Sequence, residues 1–147
     1  MIGFKLKGFT LLEIVIVLAI TGLLAILAYP SYQDHLTRTR RIEGQSALLD
    51  LANRMEAYFS ENDTYEGATI AQQKPTDLLS RPSTSNNHYS LAIKEASANT
   101  YTLVATPIGS QATNDKYCQT LTYNHLGKKN IASGPIGAPI GRIEQCW

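Results

Sequence analysis

From Phe9 to Tyr29 the chain reads FTLLEIVIVLAITGLLAILAY, an apolar run broken by one charge, Glu13. Wound as an α-helix, such a run is long enough to cross a hydrocarbon core of about 30 Å. It is preceded by MIGFKLKG, with Lys5 and Lys7. Secretory signal peptide and plain single-pass anchor are the ordinary readings of that shape. A signal peptide, however, has an apolar stretch of roughly 7–15 residues and a small-x-small cleavage site. The present run is longer, and only Ile26 and Ala28 stand before Tyr29. A carboxylate near its start is costly to place in lipid without a partner.

The rest of the chain is polar and rich in turn residues, so the 147 residues divide into one membrane segment and one small soluble domain. With 13 Lys plus Arg against 12 Asp plus Glu, the net charge of +1 provides no bulk field for a polyanion. The basic residues Lys5 and Lys7 before the run, and Arg38, Arg40 and Arg41 after it, do not fix its orientation. The two cysteines, Cys118 and Cys146, are too far apart for a CxxC motif. In a cytosolic protein they would read as reduced thiols, and beyond a membrane segment as a disulfide.

The residues GFTLLEIVIVLAITGLLAILAYPSY resemble the N-terminal signature of type IV prepilins, specifically type IVa prepilins, and of the related pseudopilins. In that family a prepilin peptidase cuts after a glycine preceded by a short basic leader and methylates the new N-terminal residue. The resemblance places Gly8 and Phe9 in those roles, with residues 1–8 as leader and 9–29 as the transmembrane and filament-core segment. Counting from Phe9, the glutamate that serves assembly in the family is Glu13. Cleavage would create an amine at Phe9, one helical turn from the Glu13 carboxylate, so the pair can meet within a subunit or between neighbours. The resemblance favours the neighbour. Compensation of Glu13 by the helix dipole alone is the competing reading. Gly22 and Pro30 each weaken the helix between them. In related pilins that stretch melts in the filament; close packing at Gly22 and a kink at Pro30 are the alternatives.

Residues 30–147 form the expected soluble head. Leu48, Leu51, Ala52, Met55 and Phe59 recur at helical spacing with Asp50 and Arg54 paired outside, which extends one kinked or curved helix from about Phe9 to Ser60. Arg38, Arg40 and Arg41 suit either a solvated face or contact with lipid headgroups or another subunit's acids. Residues 61–87 read as a covering loop. The sequon at Asn62–Thr64 is assigned no role. HYSLAIKE at 88–95 and TYTLVAT at 100–106 read as a hairpin, followed by a strand at 117–124 and a weaker one at 130–132. The expected fold is α+β: a long N-terminal helix, transmembrane in its first half, packed on a three- or four-stranded antiparallel sheet, as in type IV pilins. The tail SGPIGAPIGRIEQCW is too rich in Gly and Pro for a central strand. Joining Cys118 to Cys146 would tie it to the sheet through a loop of about thirty residues, worth roughly 3–4 kcal/mol in the chain-entropy account. Related pilins carry such a disulfide-bounded region. Trp147 is either a docking aromatic or a covered tail residue.

His35, His88 and His125 lie on separate expected elements without ligand spacing, and the sequence has no phosphate loop or nucleophile elbow. No catalytic residue, metal or cofactor is expected. The resemblance implies a structural subunit of a type IV pilus, most like a PilE-class minor pilin, given RRIEGQSALLDLANRMEAYFSENDTYEG and the terminal Cys-Trp pair. Its implied partners are other pilin subunits, the prepilin peptidase, the inner-membrane assembly platform and inner-membrane lipid before assembly. Its implied locations are the inner membrane first, then an extracellular or periplasmic filament. The alternatives are a type II secretion pseudopilin and, more weakly, a competence pilin binding nucleic acid through Lys116, Lys128, Lys129 and Arg142.

Overall fold

The computed structural model describes residues 8–147. Residues 1–7 of the expected leader 1–8, with Lys5 and Lys7, lie outside the described residues. Helix α1 spans Leu11–Asn62, two residues longer at its C-terminus than expected and two shorter at its start. Chain contacts divide the molecule into a unit ending at His35 and a second unit, Leu36–Trp147.

In the first unit the large apolar side chains from Phe9 to Tyr32 are all exposed. Gly22 and Pro30 both lie inside the helix, which carries through them without a break. The Thr21 hydroxyl donates back to the Val17 carbonyl at 2.8 Å.

In the second unit the α1 residues facing inward are Thr37, Arg41, Gly44, Leu48, Leu51, Ala52 and Met55, spaced to make one stripe. The helix stops where Asp63 turns into the left-handed region (φ 54°), with its N–H on the Phe59 carbonyl. A loop with local bridges follows, including Thr69 to Asp77. Four strands then form an antiparallel meander in the order β1 (Tyr89–Ala96), β2 (Tyr101–Pro107), β3 (Thr120–Asn124) and β4 (Lys129–Ala132). Its register aligns Leu91 with Ala105, Ala105 with Leu121 and Leu121 with Ile131, so one apolar row crosses the sheet. That face and the α1 stripe enclose the core of Leu48, Leu51, Met55, Tyr89, Leu103, Leu121 and both cysteines.

Two short helices were not expected, α2 (Gly109–Asn114) and α3 (Ile143–Cys146). Residues 117–119, strand-like in sequence, lie before β3 and outside the strand. Asp115 accepts the Cys118 N–H through its side chain and the Gln119 N–H through its carbonyl, and Gln119 turns to φ 49°. This turn delays β3 until Thr120.

Candidate functional site

The N-terminal site is assembled locally. Thr10 precedes the first helical residue, and its hydroxyl accepts the Glu13 N–H at 3.3 Å while its carbonyl accepts the Ile14 N–H at 3.2 Å. Thr10 is thus the cap that starts α1, and Glu13 sits in the first turn at the positive end of the helix. Phe9 is 75 % exposed immediately before the cap. Among the described residues Glu13 has no salt-bridge partner, which leaves its carboxylate available to a positive group from outside.

The second feature is the C-terminal clasp. Cys118 and Cys146 form a disulfide with Cα atoms 5.5 Å apart, and both are fully buried. Above it lies a polar cluster that the sequence did not disclose. Asp115 on the turn after α2 is completely buried, and the Arg41 guanidinium meets it with two hydrogen bonds of 2.9 and 2.7 Å. Tyr89 Oη donates to the same carboxylate at 3.2 Å, as does the Gln111 amide. Burial, then the negative charge of Asp115, raises the Tyr89 phenol above its ordinary range. Across the core, Tyr65 and Tyr101 both donate to the Glu56 carboxylate, each at 3.0 Å.

Arg38, Arg40 and Arg41 therefore do not act as one surface cluster. Arg41 is buried in an intrachain ion pair and Arg40 donates to the Ser110 hydroxyl at 3.0 Å, leaving Arg38 on an exposed face. A desolvated carboxylate demands a cation, and Asp115 draws Arg41 inward. Asp50 and Arg54 pair at 2.9 Å on the exposed side of α1, as expected. Trp147 is docked: its indole N–H donates to the Asn130 carbonyl at 2.9 Å, with Lys129 5.2 Å over its ring. Lys116, Lys128 and Arg142 are exposed. A groove of about 600 Å³ runs between α1 and the tail, lined by Arg38, Ile42, Gln45, Tyr117, Glu144 and Trp147 among others. His35 belongs to α1 in the first unit, and His88 and His125 to the approach to β1 and the turn after β3 in the second; among the described residues no group of three or more His, Cys, Asp or Glu could hold a metal ion.

Residues 4–29 match the prokaryotic N-terminal methylation motif, which takes in Gly8, Phe9 and Glu13. Residues 30–122 match the family described as type IV minor pilin ComP, DNA uptake sequence receptor. The chain belongs to the type IV pilin family. This pilin is 33 % identical to the type IV major pilin protein PilE1 of Neisseria gonorrhoeae over 138 residues, covering 94 % of this chain and 79 % of that one. It is 45 % identical to the type IV major fimbrial protein FimA of Dichelobacter nodosus over 56 residues, a match spanning 38 % of this chain and 32 % of FimA. Among solved structures it resembles the non-core minor pilin PilV of Neisseria meningitidis, with a TM-score of 0.52 and 23 % identity over 73 % of this chain and 97 % of that one. That likeness supports the fold: a long N-terminal helix packed on a four-stranded antiparallel sheet.

Proposed function

We propose that this pilin is a minor subunit of a type IV pilus, cut after Gly8 by a prepilin peptidase and N-methylated on Phe9. Before assembly it is held in the inner membrane by residues 9–29, with residues 30–147 outside the bilayer. In the filament it lies among other pilin subunits. The observation that carries the reading is Glu13: an exposed carboxylate without a salt-bridge partner among the described residues, on the first turn of a helix whose apolar surface is uncovered. In apolar surroundings such a group needs a positive partner, and a cleaved neighbour's Phe9 amine supplies one. Methylation leaves that amine charged. Gly22 and Pro30 are the positions at which the helix yields when the segment is drawn into a filament.

Mass spectrometry of the mature N-terminal peptide tests this. The expected result is a chain starting at N-methyl-Phe9, with the leader retained in Gly8→Val. An N-terminus at Met1, or one created near Ala28, contradicts it.

A second reading is supported by the ComP family, whose description names a DNA uptake sequence receptor. Lys116, Lys128, Lys129 and Arg142 are exposed, and Trp147 stands beside Lys129. A near-neutral net charge favours it less, because nonspecific DNA affinity rests on many phosphate contacts. Titration with duplex DNA at two salt concentrations separates the readings: salt-sensitive binding lost on removing these cations favours the second, and no binding at low salt removes it.

A further inference from the structure

The disulfide does not hold the C-terminal tail alone. The Arg41 guanidinium that pairs with Asp115 also donates through Nη1 to the carbonyl of Gln145, at 3.2 Å. Asp115 in turn accepts the N–H of Cys118 at 3.3 Å, and Gln145 is the residue before Cys146. One charged group therefore reaches both cysteine-bearing segments. One helical turn further along α1, Gln45 donates to the Cys146 carbonyl at 2.7 Å. The approach of the tail is fixed by Ile140 and Gly141, whose N–H groups donate to the carbonyls of Lys116 and Tyr117. Over the last three residues, among the described residues and apart from the contacts of the cysteine sulfurs, the long-range hydrogen bonds are those from Arg41 and Gln45 and that of the Trp147 indole to Asn130.

None of these contacts involves sulfur. A buried carboxylate keeps its guanidinium whether or not the thiols are oxidised, since leaving either charge unpaired is strongly unfavourable. We propose that Arg41 is a positioning residue for disulfide closure, docking the tail through non-covalent contacts so that Cys118 and Cys146 are already opposed when an oxidant arrives. The oxidant is an external disulfide. One cysteine thiolate attacks it, forming a mixed disulfide and releasing one thiol. The second thiolate attacks the cysteine sulfur of that mixed disulfide and expels the other thiol, so two electrons and two protons leave the protein. Arg41 acts on the second, intramolecular step, whose effective concentration depends on how closely the two segments are held. The inference is independent of where the pilin functions.

Trp147, the single tryptophan, reports tail docking in the full-length chain in detergent micelles. In Cys118→Ser/Cys146→Ser, acrylamide quenching of Trp147 is expected to match the oxidised wild type, and adding Arg41→Met is expected to expose the indole. With both cysteines present, the equilibrium with oxidised glutathione is expected to shift toward the reduced protein by about tenfold or more in Arg41→Met. Gln45→Ala, which keeps the Arg41–Asp115 pair, is expected to shift it by about threefold and carries the test where Arg41→Met does not fold. Leu103→Ala weakens the core while removing no hydrogen bond to the tail, and is expected to leave the equilibrium within about twofold of wild type while the protein stays folded. A tail already released in the double serine variant overturns the proposal. So does a glutathione equilibrium within about twofold of wild type in Gln45→Ala and in any folded Arg41→Met protein.

Discussion

Gly44 faces the Tyr89 ring of β1 with no side chain of its own between them, and Gly44→Ala measures how tightly the two are fitted. A Cβ there would lie 2.9 Å from Cδ2 of Tyr89 and 3.0 Å from both Cε2 and Cγ. These atoms span the ring from its root outward, so the clash cannot be relieved at a flexible tip. Tyr89 is fully buried and anchored by its hydroxyl on Asp115, so it cannot swing aside freely. Overpacking of this kind costs about 1–3 kcal/mol. Pulling the phenol off a charged acceptor adds about 1.5–3 kcal/mol. Alanine in place of helical glycine returns about 0.8–1 kcal/mol. The expected net loss is about 1.5–5 kcal/mol, with the steric and hydrogen-bond terms exceeding the propensity gain. Urea unfolding followed by Trp147 emission, at fixed detergent concentration, measures it. Gly22→Ala is the control, because an added Cβ there meets nothing within 4 Å and Gly22 lies outside the second unit. A Gly44→Ala protein as stable as wild type, or more stable, would refute the close packing of Gly44 on Tyr89.

The raised phenols predict an alkaline limit. Burial and the carboxylates of Asp115 and Glu56 hold Tyr89 and Tyr101 neutral in the folded state, so their contribution is complete below the ordinary tyrosine value of about 10 and is lost as pH rises beyond it. Urea midpoints should fall above that pH, with a shallower fall in Tyr101→Phe. At the acid end, partial burial pushes the Glu43 carboxyl up, but hydrogen bonds from Thr84 and Asn86 and the charge of His88 outweigh it and hold it below its ordinary 4.5. Its contribution is present above that value and lost as pH falls through the folded one. It should be small, because the group is largely solvated. Glu43→Gln should flatten the acid limb of a pH–stability curve without changing the alkaline limb.

The parts of the fold legible in the sequence were those written in short-range periodicity. Leu48, Leu51, Ala52 and Met55 declared a helix face, and the alternation in SLAIK and TYTLVAT declared a hairpin. Arg41 was misread because a run of arginines on a helix looks solvated, and its partner Asp115 lies 74 positions away in the chain. The same nonlocality hid Gly44, whose meaning is set by a tyrosine on β1. Residues 117–119 looked like strand because Tyr, Cys and Gln alternate acceptably, yet Asp115 captures the backbone N–H groups of Cys118 and Gln119 as a turn. A single Asp ahead of a strand-like run was the available signal. The position of Trp147 depended on β4, the weakest of the four strands to read. At the N-terminus the resemblance to the family signature points to Gly8, Phe9 and Glu13, which fall within the matched residues 4–29, and the structure adds the Thr10 cap that starts the helix carrying the acid.

Under the proposed function Glu13 serves incorporation into a filament, separately from membrane insertion and folding of the head. Its most direct test compares wild type with Glu13→Ala by immunoblot in membrane and sheared-filament fractions. Residues 9–29 stay apolar enough to insert without the acid, so the membrane level should be unchanged. In the filament an incoming Phe9 amine would meet no carboxylate, and an unpaired buried charge costs several kcal/mol, enough to cut incorporation by orders of magnitude. Equal amounts of the two proteins in the filament fraction would contradict the pairing, and loss from both fractions would place the role of Glu13 in insertion or folding instead.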